Sequence, residues 1–399
     1  MKSDILSLLA LSDPLRDWLD LGLRWLHVIA AMAWIGTSFY FVLLDQSLRP
    51  PKDPADREAG VGGELWEVHG GGFYQVQKYV VAPPRLPDHV AWFKWEAYTT
   101  WLSGFALMLV LYYFEASSAL VKPGDDLEPW LAVTISIGLL VVAWIVYDVL
   151  NRLVTDPRVL WPVLIVLVAL AAWGSSELFS PRAAWLQVGA MIGTVMAANV
   201  FFVIIPAHRE LIRAKEAGRE PDPRPGIQAK QRSVHNNYLT LPVLLTMLAG
   251  HFPFAYGADH AWLVLVALMA IAAWVRLFYN LRHTGRTHWW MLAAAGAAFV
   301  AVAVLVDRSE DSAATPTSPG SAARGKQVFV TAGCGACHTL SDAGSTAVVG
   351  PSLDAAAPSA ELVAERVRNG LGVMPAFAGT LSDEQIADVA AYVSSVTGG

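Results

Sequence analysis

Charge is what this sequence has least of. Asp, Glu, Lys and Arg together make up 16% of 399 residues, where a soluble chain carries about a quarter. With 55% hydrophobic residues, the bulk of the chain cannot be a single water-soluble globule. Cysteine is nearly absent. Two residues, Cys334 and Cys337, rule out a disulfide framework. There is no Gly-x-Gly-x-x-Gly or phosphate loop, so no nicotinamide, flavin or nucleotide domain is indicated. The net charge of −6 comes with no basic face in the C-terminal part, which argues against a nucleic-acid partner. No His-His pair lies inside an apolar run, and inward histidines are too few for a haem–copper centre.

Before residue 307 the chain is instead a series of apolar runs. About 20 such residues cross a bilayer as a helix. Eight spans are read, at 21–44, 92–114, 130–150, 160–175, 184–207, 238–251, 261–282 and 289–306. Many of the 16 Trp stand at their ends, like the aromatic belts that meet membrane lipid headgroups. The expected class is all-α: a polytopic membrane helical bundle over 1–306, a Ser/Ala/Thr/Pro-rich flexible linker over 307–320 and a small soluble domain over 321–399. Residues 5–11 are apolar but end at Asp13-Pro14, and read as a short interfacial helix rather than a cleavable leader. The basic stretch 208–232 and the turn with Arg282 and Arg286 belong in the cytoplasm, and the acidic 122–128 outside. Both termini then lie outside. Trp25-Leu26-His27-Val28 is echoed by Trp185-Leu186-Gln187-Val188, either as a duplicated four-helix unit or as chance likeness between apolar helices. Residues 45–91 are too long for a turn. Their glycines and aromatics favour a packed loop lining a site over a plain surface loop.

The two cysteines stand in Gly333-Cys334-Gly335-Ala336-Cys337-His338. Cys-x-x-Cys-His attaches c-type haem: the thiols reach two vinyl groups of one porphyrin, and the histidine lies under the iron. A disulfide, a redox dithiol and chance are the competing readings, and the surroundings favour haem. A helix runs up to Thr331, Gly350-Pro351 makes a turn, Met374 stands before Pro375, and Ser382 caps a last helix. This succession resembles a class I cytochrome c over about 321–397. The resemblance implies haem c on Cys334 and Cys337, with His338 and Met374 as metal ligands. His/Met ligation raises the potential, which suits an electron acceptor. Haem c is attached outside the cytoplasm, in agreement with the topology from charge.

Ionisable side chains inside a membrane are costly and so are candidates for function. His27 lies near the outer end of the first span and His251 at the outer end of the sixth. Facing each other they would ligate a haem b as metal ligands; the alternative is two hydrogen-bonded packing histidines. A second set belongs to the cytoplasmic side: His69, His208, His235, Asn236, Asn237, Arg276, Asn280 and His283. Arg276, with Asn280 four residues on, suits a planar anionic ligand, or snorkels to headgroups. Asn199 needs a partner and can staple helices. Lys94 and Glu96 read as an interfacial pair, with Glu96 kept among the candidates for chemistry beside Arg276, His69, His235 and Asn236.

Several of these stretches carry a more specific likeness. Arg24-Trp25-Leu26-His27-Val28, Trp34-Ile35-Gly36-Thr37-Ser38, His69-Gly70-Gly71-Gly72-Phe73-Tyr74, Trp92-Phe93-Lys94-Trp95-Glu96 and His235-Asn236-Asn237-Tyr238 resemble the bacterial membrane-bound, cytochrome-c-linked urate oxidases (urate hydroxylases). The likeness spans nearly the whole chain. It implies urate as substrate, oxidised and hydrated to 5-hydroxyisourate with water as oxygen source and no hydrogen peroxide. It further implies an inner-membrane enzyme whose periplasmic haem c passes electrons to a respiratory terminal oxidase or a soluble cytochrome. The competing class is a membrane-anchored electron-transfer cytochrome fed by quinol or a partner complex.

Overall fold

The computed structural model describes residues 13–122, 125–258, 260–313, 320–347, 349–371, 374–378 and 381–398. The expected interfacial helix at 5–11 lies outside them. Among the described residues nine helices of ten residues or more build the N-terminal part: α1 (Asp13–Ser47), α2 (Trp95–Met108), α3 (Pro129–Leu153), α4 (Pro157–Leu178), α5 (Pro181–Ala198), α6 (Ile205–Glu216), α7 (Pro223–Ala249), α8 (Ala261–His283) and α9 (Trp290–Ala313). Proline starts α3, α4, α5 and α7, where its missing N–H is no loss and its φ suits the first turn. Asp156 and Asp222 accept from the backbone N–H two residues on and cap α4 and α7.

Five stretches are long and apolar enough to cross a membrane: Leu15–Ser47, Pro129–Leu153, Pro157–Leu178, Pro181–Glu216 and Ala261–His283. Trp290–Val306 is apolar but shorter. The expected second and sixth spans are helical too. However, α2 has 14 residues before it continues as a π turn, Leu109–Tyr113, and the first half of α7 is polar. The expected loop at 208–232 is largely helix, α6 and the start of α7.

The helix α5 is the axis of the bundle. Two-thirds of its membrane window (67%) is buried, against 11–22% for the other four, whose outward faces are left for lipid. Trp185, Val188, Met191, Ile192 and Met196 of α5 pack with Leu140 of α3, Ala172 of α4, Ala249 of α7, and Leu265 and Met269 of α8. A π stretch, Asn199–Ile204, joins α5 to α6. Such wide turns re-aim side chains inside a helix, and this one starts at the fully buried Asn199.

Residues 45–91 differ from the expected packed loop. They form a β-hairpin, β1 (Val61–His69) and β2 (Gly72–Tyr79), in antiparallel register with His69 opposite Gly72. Gly70 and Gly71 have φ of +58° and +82°, as a two-residue turn with both central residues left-handed requires. Asp45 at the end of α1 pairs with Lys78 of β2 and Lys230 of α7, and Tyr40 donates to Glu67. The hairpin is thus fastened to one end of the bundle.

The C-terminal part contains α10 (Ala322–Thr331), a short turn over Cys334–Ala336, α11 (Ala360–Asn369) and α12 (Asp383–Thr397). The Ser382 cap is a full capping box, with Gln385 reaching back. The helix α11, capped by Ser359, is an addition to what the sequence pattern led one to expect. A Cβ on Gly325 would stand 1.9 Å from the Asp388 carbonyl oxygen, so only glycine lets α10 cross α12 this closely. Phe329 and Tyr392 meet edge to face, and Val363, Val367, Ile386 and Val389 complete the core.

Candidate functional site

The attachment motif sits on the turn after α10. Cys334 and Cys337 are free thiols, half-buried and exposed respectively. The Cys334 carbonyl accepts the His338 backbone N–H at 3.1 Å, and Cys337 accepts from Gly350 at 2.6 Å. This pins the Gly350-Pro351 turn beside the motif. The His338 ring donates Nδ1–H to the Pro351 carbonyl at 2.9 Å. Its Nε2 is then the unprotonated nitrogen, the form in which imidazole binds a metal. Gly350 makes room for the ring, since a Cβ there would come within 2.5 Å of it. Met374 is held in a tight bridge with Leu371 (3.0 and 3.2 Å) and packs against the same core as Cys334. Free thiols, an oriented imidazole and a thioether are the donor set that a covalent haem needs.

Two further places in the bundle bring ionisable or amide side chains together. The first is a cavity of about 360 Å³. His27 and His251 both line it, with Arg24, Arg182, Trp34 and Trp101. The sequence placed the two histidines at similar depth, and the structure brings them to one cavity. His27 Nδ1 is 2.9 Å from the Thr100 carbonyl and 3.1 Å from the Ser103 hydroxyl. A carbonyl only accepts, so Nδ1 carries the proton and Nε2 is free of it. The ring rests on Gly104, where a Cβ would come within 2.9 Å.

The second place is a buried network just beyond this cavity. Met196 and Thr240 line the cavity, and Asn236 is bonded to both: its Nδ2 donates to the Met196 carbonyl, and its own carbonyl accepts from Thr240. Asn199 donates to Asn236 Oδ1 (2.9 Å) and to the Tyr147 hydroxyl (3.1 Å). That hydroxyl is 2.8 Å from His235 Nδ1, and the His235 ring packs edge-on to Trp161. Arg232 lies over Tyr147 and pairs with Asp148 at 2.7 Å. On the other side of α7, Arg276 donates Nε–H to Asn237 and stacks over Phe39 at 3.8 Å. Arg276 Nη2, Arg232 Nη1, and the amide oxygens of Asn280, Asn199 and Asn151 are buried with no partner among the described residues. A buried polar atom left unpaired costs about 1–3 kcal/mol, so several together mark a place for a polar ligand or water.

The sequence candidates therefore separate. His235 and Asn236 come together through Tyr147 and Asn199, Asn236 also ties α7 to α5, and Arg276 lies on the other side of α7, held by Asn237. Glu96 is half-buried at the start of α2 with Oε2 unpaired. His69 stands exposed at the hairpin tip and is not brought to this network. Tyr147, Asp148 and Arg182 were missed. Tyr147-Asp148 inside the apolar α3 was a readable signal, because an acid there needs a partner.

Comparison with known proteins places these features. Residues 13–307 match the urate oxidase N-terminal family, and residues 320–393 match cytochrome c oxidase, cbb3-type, subunit III. The C-terminal part is similar to cytochrome c6 of Picosynechococcus sp., 41% identical over 107 residues, which are 24% of this chain and 90% of that relative. It is similar also to cytochrome c6 of Tetradesmus obliquus, 42% identical over 80 residues, 18% of this chain and 85% of that relative. Among solved structures, the c-type cytochrome SorU from Sinorhizobium meliloti is 45% identical. That likeness covers 19% of this chain and 91% of that one, with a TM-score of 0.18.

Proposed function

Since the chain belongs to the urate oxidase N-terminal family and carries a cytochrome c domain behind it, we propose that it is a urate:cytochrome c oxidoreductase forming 5-hydroxyisourate. Urate and one water give 5-hydroxyisourate, two protons and two electrons. The added oxygen comes from water, and no hydrogen peroxide forms. The haem c domain, joined by a linker that starts after α9 ends at Ala313 rather than at 307, faces the periplasm of a bacterial inner membrane and hands electrons to a respiratory terminal oxidase or a soluble cytochrome.

Haem c supplies one-electron acceptance at a potential raised by His/Met ligation. Cys334 and Cys337 would hold it, and His338 and Met374 would ligate its iron. Urate is planar and lined with N–H donors and carbonyl acceptors. Arg276 Nη2 and Asn280 Oδ1 offer it a donor and an acceptor, both buried and unpaired, while Asn237 fixes the guanidinium. This unsatisfied set is the observation that carries the substrate site. His235, linked through Tyr147 and Asn199 to Asn236, is placed to receive a proton. Glu96 is the second candidate base, and His69 has no part. One haem c takes one electron, so the two electrons leave urate either through a second one-electron centre or in successive turnovers.

The test is anaerobic. Urate added to oxidised, haemylated protein reduces the c-type α band and yields 5-hydroxyisourate carrying oxygen from labelled water. Protein that stays oxidised with urate but is reduced by quinol is an electron-transfer cytochrome instead.

A further inference from the structure

The geometry points to how a second one-electron centre is held: the cavity takes a non-covalent haem, with His27 Nε2 as one axial ligand and His251 as the other. The inference rests on the proposed function only for the source of the electrons. Its support is local. A metal-bound histidine nearly always donates its second ring N–H to a carbonyl or carboxylate, which fixes the tautomer and aims the other nitrogen. His27 does this with the Thr100 carbonyl at 2.9 Å, and the Ser103 hydroxyl, at 3.1 Å, holds the same nitrogen from the side. A packing histidine in an apolar helix has no need of a glycine. Here Gly104 is the only residue type the ring tolerates beside it without moving, because a Cβ would come within 2.9 Å of Cε1.

The cavity beyond the ring is the right kind of space. Its walls are chiefly apolar, with Trp34, Phe105, Leu140 and Met247, as the faces of a porphyrin require. Urate, small and polar on every edge, would leave most of this wall unmatched. Arg24 and Arg182 also line it. Arg182 has no ion-pair partner among the described residues, and Gly250 lies against its guanidinium, 3.3 Å from where a Cβ would be. These cations suit the two propionates of a haem. Two ferric haems on one chain would accept, one each, the two electrons that urate releases.

Acid–acetone extraction of the purified full-length protein is the first experiment. It removes non-covalent haem and leaves haem c attached. The expected result is extractable haem equal in amount to the covalent haem, and both b- and c-type bands in the pyridine haemochrome. A c-type band alone overturns the inference. His27→Ala should lose the extractable haem while haem c persists, which also reports that the chain has folded; extractable haem retained in that variant overturns His27 as ligand. His251→Ala should keep the haem and convert it from low to high spin, and an unchanged spectrum overturns His251. If His27→Ala yields no protein, Gly104→Ala, which presses on the ring, should shift the b-type potential and leave the c-type one in place; no shift overturns the inference. Extraction needs no urate. Protein that oxidises urate yet yields no extractable haem removes this inference and spares the proposed function; the reverse result does the opposite.

Discussion

Two histidines in unrelated parts of the chain are set up alike. His338, on a turn of the cytochrome domain, and His27, in the middle of a membrane helix, each donate Nδ1–H to a backbone carbonyl at 2.9 Å. Each ring lies on a glycine that a Cβ would turn into a clash. His235 contrasts with both: its Nδ1 meets a tyrosine hydroxyl, and its ring is wedged against Trp161. A carbonyl partner can only accept and so holds one tautomer, whereas a hydroxyl can donate or accept and leaves a proton free to move. The surroundings of the imidazole therefore separate a ring held in one tautomer from a ring free to exchange its proton.

The comparison breaks most completely at its known half. His338→Ala should abolish urate-driven reduction and grossly disturb the haem c spectrum, read by optical titration. Next in size is the substrate side. Arg276→Lys should lower kcat/KM by about 100-fold, roughly 3 kcal/mol, because an ammonium cannot keep the Asn237 bond and also present a planar fork; steady-state kinetics with haem content held equal checks it. Met374→Ala should lower the haem c potential by on the order of 0.1 V or more, within the roughly 0.8 V that axial ligands span. Potentiometry reads this, and an unchanged potential would assign another ligand.

The glycine parallel is sharpened by a pair of variants. Gly350→Ala should cost about 1–3 kcal/mol of stability and Gly104→Ala less, since the clashes begin at 2.5 and 2.9 Å respectively; thermal melts of holoprotein rank them. The smallest effect is electrostatic and confined to the cytochrome domain. Arg324 hydrogen bonds hold the Asp388 carboxyl below its ordinary 3.8, and the Ser321 N–H adds to this. A depressed carboxylate contributes stability above its unfolded pKa and loses it as pH falls through the folded one. Acid melts should therefore steepen below about pH 4, and Asp388→Asn should flatten that arm.

Much of the cytochrome domain was legible. Cys-x-x-Cys-His, a methionine loop and a Ser/Gln capping box are local signals, each worked out within a few residues. The helix α11 follows the same local grammar, with Ser359 as cap, but its apolar face is only Val363 and Val367, too short a pattern to stand out by itself. The hairpin was legible too: Leu65-Trp66-Glu67-Val68 and Phe73-Tyr74-Gln75-Val76 alternate around a Gly-Gly turn, a pattern of period two that a search for helices overlooks.

The membrane site behaved differently. Hydropathy located apolar helices, because burial in lipid is a property that each segment carries by itself. It could not say which polar residues meet. His69 and His235 looked equivalent in the sequence; one stands at an exposed tip and the other is buried on Tyr147. Tyr147 and Asp148 of α3, Asn199 just after α5, and His235 and Asn236 of α7 form one network only because three distant segments cross there. What the sequence alone determined about this protein was its division into an apolar bundle and a cytochrome c domain, and the family. Only the tertiary structure brought His27 and His251 to one cavity and gave Arg276 its Asn237 partner, since a buried polar group takes its role from partners contributed by distant segments.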